Sequence, residues 1–79
     1  MSKLLPFDRI TVDTNIMDGK PCIRGMRFQV SLLLNLIANG MTREEIIQAY
    51  PYIESEDISQ SLKYAAWLAE DRIEILAGA

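Results

Sequence analysis

Histidine is absent from this chain and cysteine occurs once, at Cys22. The first absence removes the side chain that most often exchanges protons near neutral pH, and the second rules out an internal disulfide. Together they leave no His/Cys set for a transition metal. No apolar run approaches the roughly 18 residues of a membrane span, and the N-terminus lacks the basic-then-apolar layout of a signal peptide. No membrane association is therefore expected, and the reading is cytoplasmic. Acids are plentiful but scattered, with no nucleophile beside a base and no carboxylates at a ligand spacing, so no catalytic residue, metal or cofactor is assigned and an enzyme is not expected.

What the chain does contain is enough apolar material for one small domain. Of its 79 residues, 49% are hydrophobic and 24% charged, which is too apolar for a disordered tail and too short for two cores. A domain of this size has a marginal core, so a partner or a second copy would add to its stability. The net charge of −3 is unevenly spread. Residues 1–30 hold five cations against three acids, whereas residues 31–79 hold three against eight. Acidity of this kind suits a basic protein partner better than it suits nucleic acid.

Periodicity divides the chain into a β-like segment, 1–29, and a helical region, 30–76. Arg9-Ile10-Thr11-Val12 alternates polar and β-branched residues as a strand does, and Asp13-Thr14-Asn15 reads as a turn. From Val30 the spacing becomes helical through Leu33, Leu34, Ile37, Ala38 and Met41, with Asn39-Gly40 as the stop. Thr42-Arg43-Glu44-Glu45 is a capping box that opens a second helix, which Pro51 ends near Tyr50. Ser55 is expected to cap a third helix with Glu56 and Asp57 in its first turn. The alternation in residues 72–76 fits either a strand or more helix.

The expected fold is therefore mainly α: a tri-helical helix-turn-helix core of homeodomain-like layout with a short β-hairpin or extended N-terminal segment. In that layout the start of the third helix enters the major groove, and Ser59, Gln60 and Lys63 are the candidate DNA contacts, opposed by Glu54, Glu56 and Asp57. A second apolar surface, made of Leu32 and Leu36 on the first helix and Tyr64, Trp67 and Leu68 on the third, points to a partner or homodimer interface.

Gly19-Lys20-Pro21-Cys22-Ile23-Arg24-Gly25-Met26-Arg27 is the most distinctive stretch, with turn-formers and cations packed together. It reads as a hairpin in which Gly25-Met26 occupy the centre of a type II′ turn and Arg24 and Arg27 face each other across it. Like charges placed so repel, so a carboxylate of the protein or an anion on a partner is expected between them. Lys20, Arg24 and Arg27 join the candidate DNA contacts on that basis, while internal pairing of the two arginines with acids of the third helix is the alternative. Cys22 is expected to be a small buried hydrophobe.

These residues carry a resemblance. Arg9-Ile10-Thr11, the Gly19 to Arg27 motif, the helix ending in Asn39-Gly40-Met41, Glu44-Glu45-Ile46, Tyr50-Pro51 and Glu56-Asp57-Ile58 leading to Tyr64-Ala65-Ala66 closely resemble the bacterial domain-of-unknown-function family 433. The resemblance implies a helix-turn-helix fold and an antitoxin-like role beside a PIN-like nuclease toxin, with operator DNA as a further partner. The other class of function is a protein-interaction or assembly module without DNA affinity. Asp18, Met26 and Phe28-Gln29 depart from the family pattern, which places any polar recognition at the motif on Arg24 and Arg27.

Overall fold

A computed structural model describes the backbone of residues 2–4 and 6–77 and the side chains of the same residues up to Glu70. Within them lie three strands, β1 (Ser2–Leu4), β2 (Phe7–Val12) and β3 (Cys22–Ile23), followed by three α-helices, α1 (Val30–Ala38), α2 (Arg43–Ala49) and α3 (Ser55–Ala77). A single 3-10 turn, Met17–Gly19, interrupts the path from β2 to β3.

The strands form one antiparallel sheet in the order β1-β2-β3, so the fold is mixed α/β and not mainly α with a hairpin attached. β2 is the centre of that sheet, with Ile10 opposite Ile23 and Thr11 opposite Cys22 on one side, and Lys3 opposite Thr11 on the other. Two physical facts hid this from the sequence. β1 is a three-residue edge strand with no alternation to betray it, and the register shifts between Lys3 and Leu4. The first two helices, in turn, are too short to close a core by themselves. α1 buries only Val30 and Leu33, and α2 only Ile46.

The core is consequently shared between layers. Phe7, Ile10, Ile23 and Phe28 from the sheet region pack with Val30, Leu33, Ile46, Ile53 and Ile58 from the helical half. A helix-turn-helix core that is complete without its β segment is thus corrected to a sheet and helices that need one another. α3 packs against both α1 and β2, which makes it the axis of the fold.

Local signals account for most element boundaries. Thr42 Oγ1 accepts from the Glu45 amide at 3.1 Å while the Glu45 carboxylate accepts from the Thr42 amide at 2.9 Å, the reciprocal box expected at the start of α2. Gly40, at φ +94, ends the α1 region as only glycine does without strain. α3 starts at Ser55, but the cap works differently from expectation. The carboxylate of Asp57, two residues beyond Ser55, accepts from the Glu54 amide at 2.8 Å, and the Ser55 hydroxyl is instead held by Arg43 at 2.9 Å. The 72–76 segment continues as helix to Ala77.

Candidate functional site

The Gly19 to Arg27 motif builds its turn one residue earlier than the sequence suggests. Met26 N–H donates to the Ile23 carbonyl at 2.8 Å, so the central residues are Arg24 and Gly25, at φ +43 and +72. Positive φ at both positions is the type I′ pattern, which favours Asn-Gly and tolerates arginine poorly. Arg24 therefore occupies the turn and does not face Arg27 across it. Thr11 supports the tip from beneath: its Oγ1 accepts from the Gly25 amide at 2.8 Å and donates to the Cys22 carbonyl at 3.4 Å.

The reason for an arginine in that conformation lies 33 positions away, in the first turn of α3. Arg24 donates Nε to Asp57 Oδ1 at 3.0 Å and Nη2 to Oδ2 at 2.9 Å, and Nη2 also reaches the Tyr52 carbonyl at 2.7 Å. Arg9 of β2 completes the cluster, with Nη1 on Asp57 Oδ1 at 3.0 Å and on Glu54 Oε1 at 2.6 Å. Asp57 is wholly buried, and its two oxygens accept from two guanidiniums and a backbone amide, which satisfies a buried charge. Burial pushes its carboxyl up, yet the hydrogen bonds from Arg24, the Glu54 amide and Arg9 outweigh that effect and hold it below the ordinary aspartate value. The same contacts, led by those of Glu54 on Arg9 and of Asp57 on Arg24, keep both arginines firmly protonated.

Two further side chains named as DNA contacts are also engaged within the fold. Gln60 accepts from the Arg9 amide at 2.6 Å and donates to Asp8 Oδ1 at 2.7 Å, docking α3 on the backbone of β2. The Ser59 hydroxyl accepts from Arg43 at 3.0 Å, and the same guanidinium nitrogen binds the Ser55 carbonyl at 2.6 Å. Lys20, Arg27 and Lys63 are exposed. Sequence reading missed Arg9 and Asp57 as a functional pair with Arg24. The signal was an acid in the first turn of α3 and two arginines in the β segment, and only tertiary structure joins them.

The interface candidates divide between surfaces. Tyr64 and Leu68 line an apolar groove of about 270 Å³ with Val30 and Leu34 of α1, and Lys20 stands at its rim. Trp67 lies beside this groove, in ring contact with Phe7 at 5.9 Å and Tyr64 at 6.2 Å, and remains 47% exposed. Leu36 is half-buried against the core, whereas Leu32 is exposed beside Arg27 and Met17 in a separate depression. Cys22 is buried at 2% exposure, and its thiol is pushed up by that burial. Among the described residues no group of three or more His, Cys, Asp or Glu is placed to hold a metal ion, and no helix is long and apolar enough to cross a membrane.

A small mixed α/β domain, closed by a buried aspartate that two arginines of the β segment share, is the class of protein these observations define. Residues 10–65 match the family described as a protein of unknown function (DUF433), and the chain belongs to that family. It is also similar to a solved structure, the crystal structure of a DUF433 member protein from Anabaena variabilis ATCC 29413, with 25% sequence identity and a TM-score of 0.72. That similarity covers 87% of this chain and 68% of the other. No curated protein matches the chain.

Proposed function

We propose that this chain is a non-catalytic protein-interaction module, with the antitoxin-like binding of a basic partner nuclease as its specific form. The observation that carries this reading is the internal use of Arg24, Ser59 and Gln60, whose polar atoms hold the fold together where a DNA reader would present them outward. Glu54 and Glu56, both exposed at the start of α3, oppose approach to phosphates. The net charge of −3 instead suits a basic partner. The exposed Trp67 and Leu68, with the half-buried Tyr64 beside them, are of the residue types from which interface anchors are drawn, and this surface serves a second copy of the chain as well as a foreign partner.

Co-expression with the product of the adjacent gene, followed by purification through a tag on this chain, tests the reading. A stoichiometric complex that Leu68→Glu abolishes is the expected result. Titration of the free protein with DNA from upstream of its own gene, across a range of salt, provides the contrary test. Sequence-specific binding by the protein alone would overturn the interaction-only reading and restore operator recognition through Lys20, Arg27 and Lys63. Sedimentation at micromolar protein separates a dimer from the 9.0 kDa monomer.

A further inference from the structure

Beside the buried aspartate lies a depression of about 330 Å³ lined by Lys3, Asp8, Arg9, Thr11 and Arg24. Three cations against one acid line it, in a chain whose net charge is −3. The two guanidiniums are held in place before any ligand arrives. Asp57 grips Arg24 through Nε and Nη2, and it grips Arg9 through Nη1, which also binds Glu54. Among the described residues this leaves the Nη1 hydrogens of Arg24 and the Nε and Nη2 hydrogens of Arg9 uncommitted. Asp8, the acid of the lining, has Oδ1 taken by Gln60.

Fixed guanidinium donors of this kind match the oxygens of a tetrahedral anion, and little side-chain freedom is lost when they bind one. Arg24 is moreover held in the left-handed region, a costly conformation that non-glycine residues keep where the surroundings impose it. We propose that the depression bounded by Lys3, Arg9 and Arg24 binds a phosphate group. Asp57 and Glu54 behind the depression and Asp8 in its lining bring the formal charge of the cluster to zero, so binding rests on directed N–H donors more than on net charge and the affinity expected is low-millimolar, on the order of a few kcal/mol of binding.

The test follows the Nε–H resonances of Arg9 and Arg24 by NMR, together with thermal unfolding, as inorganic phosphate is added to the full chain against sodium chloride of matched ionic strength. Phosphate is expected to shift both resonances saturably and raise the midpoint beyond the chloride control. Lys3→Gln, which removes an exposed cation outside the Asp57 cluster, is expected to weaken binding roughly fivefold, the upper range for one exposed charge. Lys63→Gln changes net charge equally and is expected to leave the affinity unaltered. Glycerol phosphate decides the source: tighter binding than inorganic phosphate identifies an ester headgroup as the natural ligand, and weaker binding identifies the free anion. Equal effects of the two lysine variants, a response that chloride reproduces, or acetate binding as well as phosphate would each overturn the proposal.

Discussion

Arg24 and Asp57 meet through two hydrogen bonds, Nε to Oδ1 at 3.0 Å and Nη2 to Oδ2 at 2.9 Å, so that one guanidinium spans both oxygens of a fully buried carboxylate. The contact fastens the tightest turn of the β segment to the first turn of the longest helix. It also explains why the most distinctive motif of the sequence is specific: Nε and Nη2 of Arg24 are committed inside the fold, and only its Nη1 hydrogens are left for a ligand.

Removal of Asp57 is expected to be severe. Asp57→Ala strips an acceptor from two guanidiniums and from the Glu54 amide, and breaking a buried ion pair in this way costs about 3 kcal/mol when, as here, the arginines regain some water. A domain of this length has only about 4–12 kcal/mol of total stability. Urea denaturation measures the loss, and Asp57→Asn is expected to recover less than half, because a neutral amide cannot serve two cations. A change below about 0.5 kcal/mol in the alanine variant, the range of ordinary surface substitutions, would show that the cluster is not what holds the layers together.

Acid sensitivity follows from the same carboxylate. Asp57 titrates lower in the folded chain than in the unfolded one, so the unfolded state binds more protons as pH falls. Its contribution is fully present above the unfolded aspartate value of about 3.9 and is lost as pH falls through the lower, folded value. Asp8 and Glu45, lowered chiefly by the Gln60 side chain and the Thr42 amide respectively, act in the same direction. Thermal midpoints are expected to be flat near neutrality and to decline below about pH 4, more shallowly in Asp57→Asn. Identical acid profiles for the two proteins would remove Asp57 as the cause.

Substitution of Arg24 separates backbone strain from the ion pair. Both Arg24→Ala and Arg24→Gly lose the contact with Asp57, but only glycine relaxes at φ +43. The alanine variant is expected to be the less stable of the two by about 1 kcal/mol, the usual difference between these residues at positive φ. Equal stabilities would mean that the turn reorganises once the guanidinium is gone.

Gln60→Ala is expected to weaken the protein by about 1–2 kcal/mol, since the Arg9 amide and Asp8 lose a partner that no neighbouring side chain replaces. In a DNA titration the same variant is expected to behave as the parent does. A selective loss of DNA affinity at unchanged stability would return Gln60 to the role of base reader.

The elements controlled by local chemistry were legible in the sequence. The Thr42–Glu45 box, the Asn39-Gly40 stop and the break at Pro51 all depend on neighbours in the chain, and the burial of Cys22 followed from its small apolar side chain. The strands over residues 9–12 and Cys22–Ile23 were legible too, but the sheet that joins them with β1 was not, because β1 is short, lies at an edge and owes its pairing to β2 alone. The hairpin register was misplaced by one residue for a related reason. Gly25 satisfies either a II′ turn as first central residue or a I′ turn as second, and the choice is made by Asp57 on another element. Internal pairing of Arg24 with an acid of the third helix was foreseen as an alternative, but Arg9 as the second partner required the strand and helix to be seen side by side.

The position of Asp57 late in the chain also imposes an order on synthesis. Translation delivers the β segment first, and its left-handed turn has no counter-charge until the Ile53–Ile58 stretch clears the ribosome. Closure of contacts so distant in sequence is slow relative to local helix formation. The hairpin is therefore expected to remain open to proteases during elongation and to gain protection in a single step when the start of the last helix emerges.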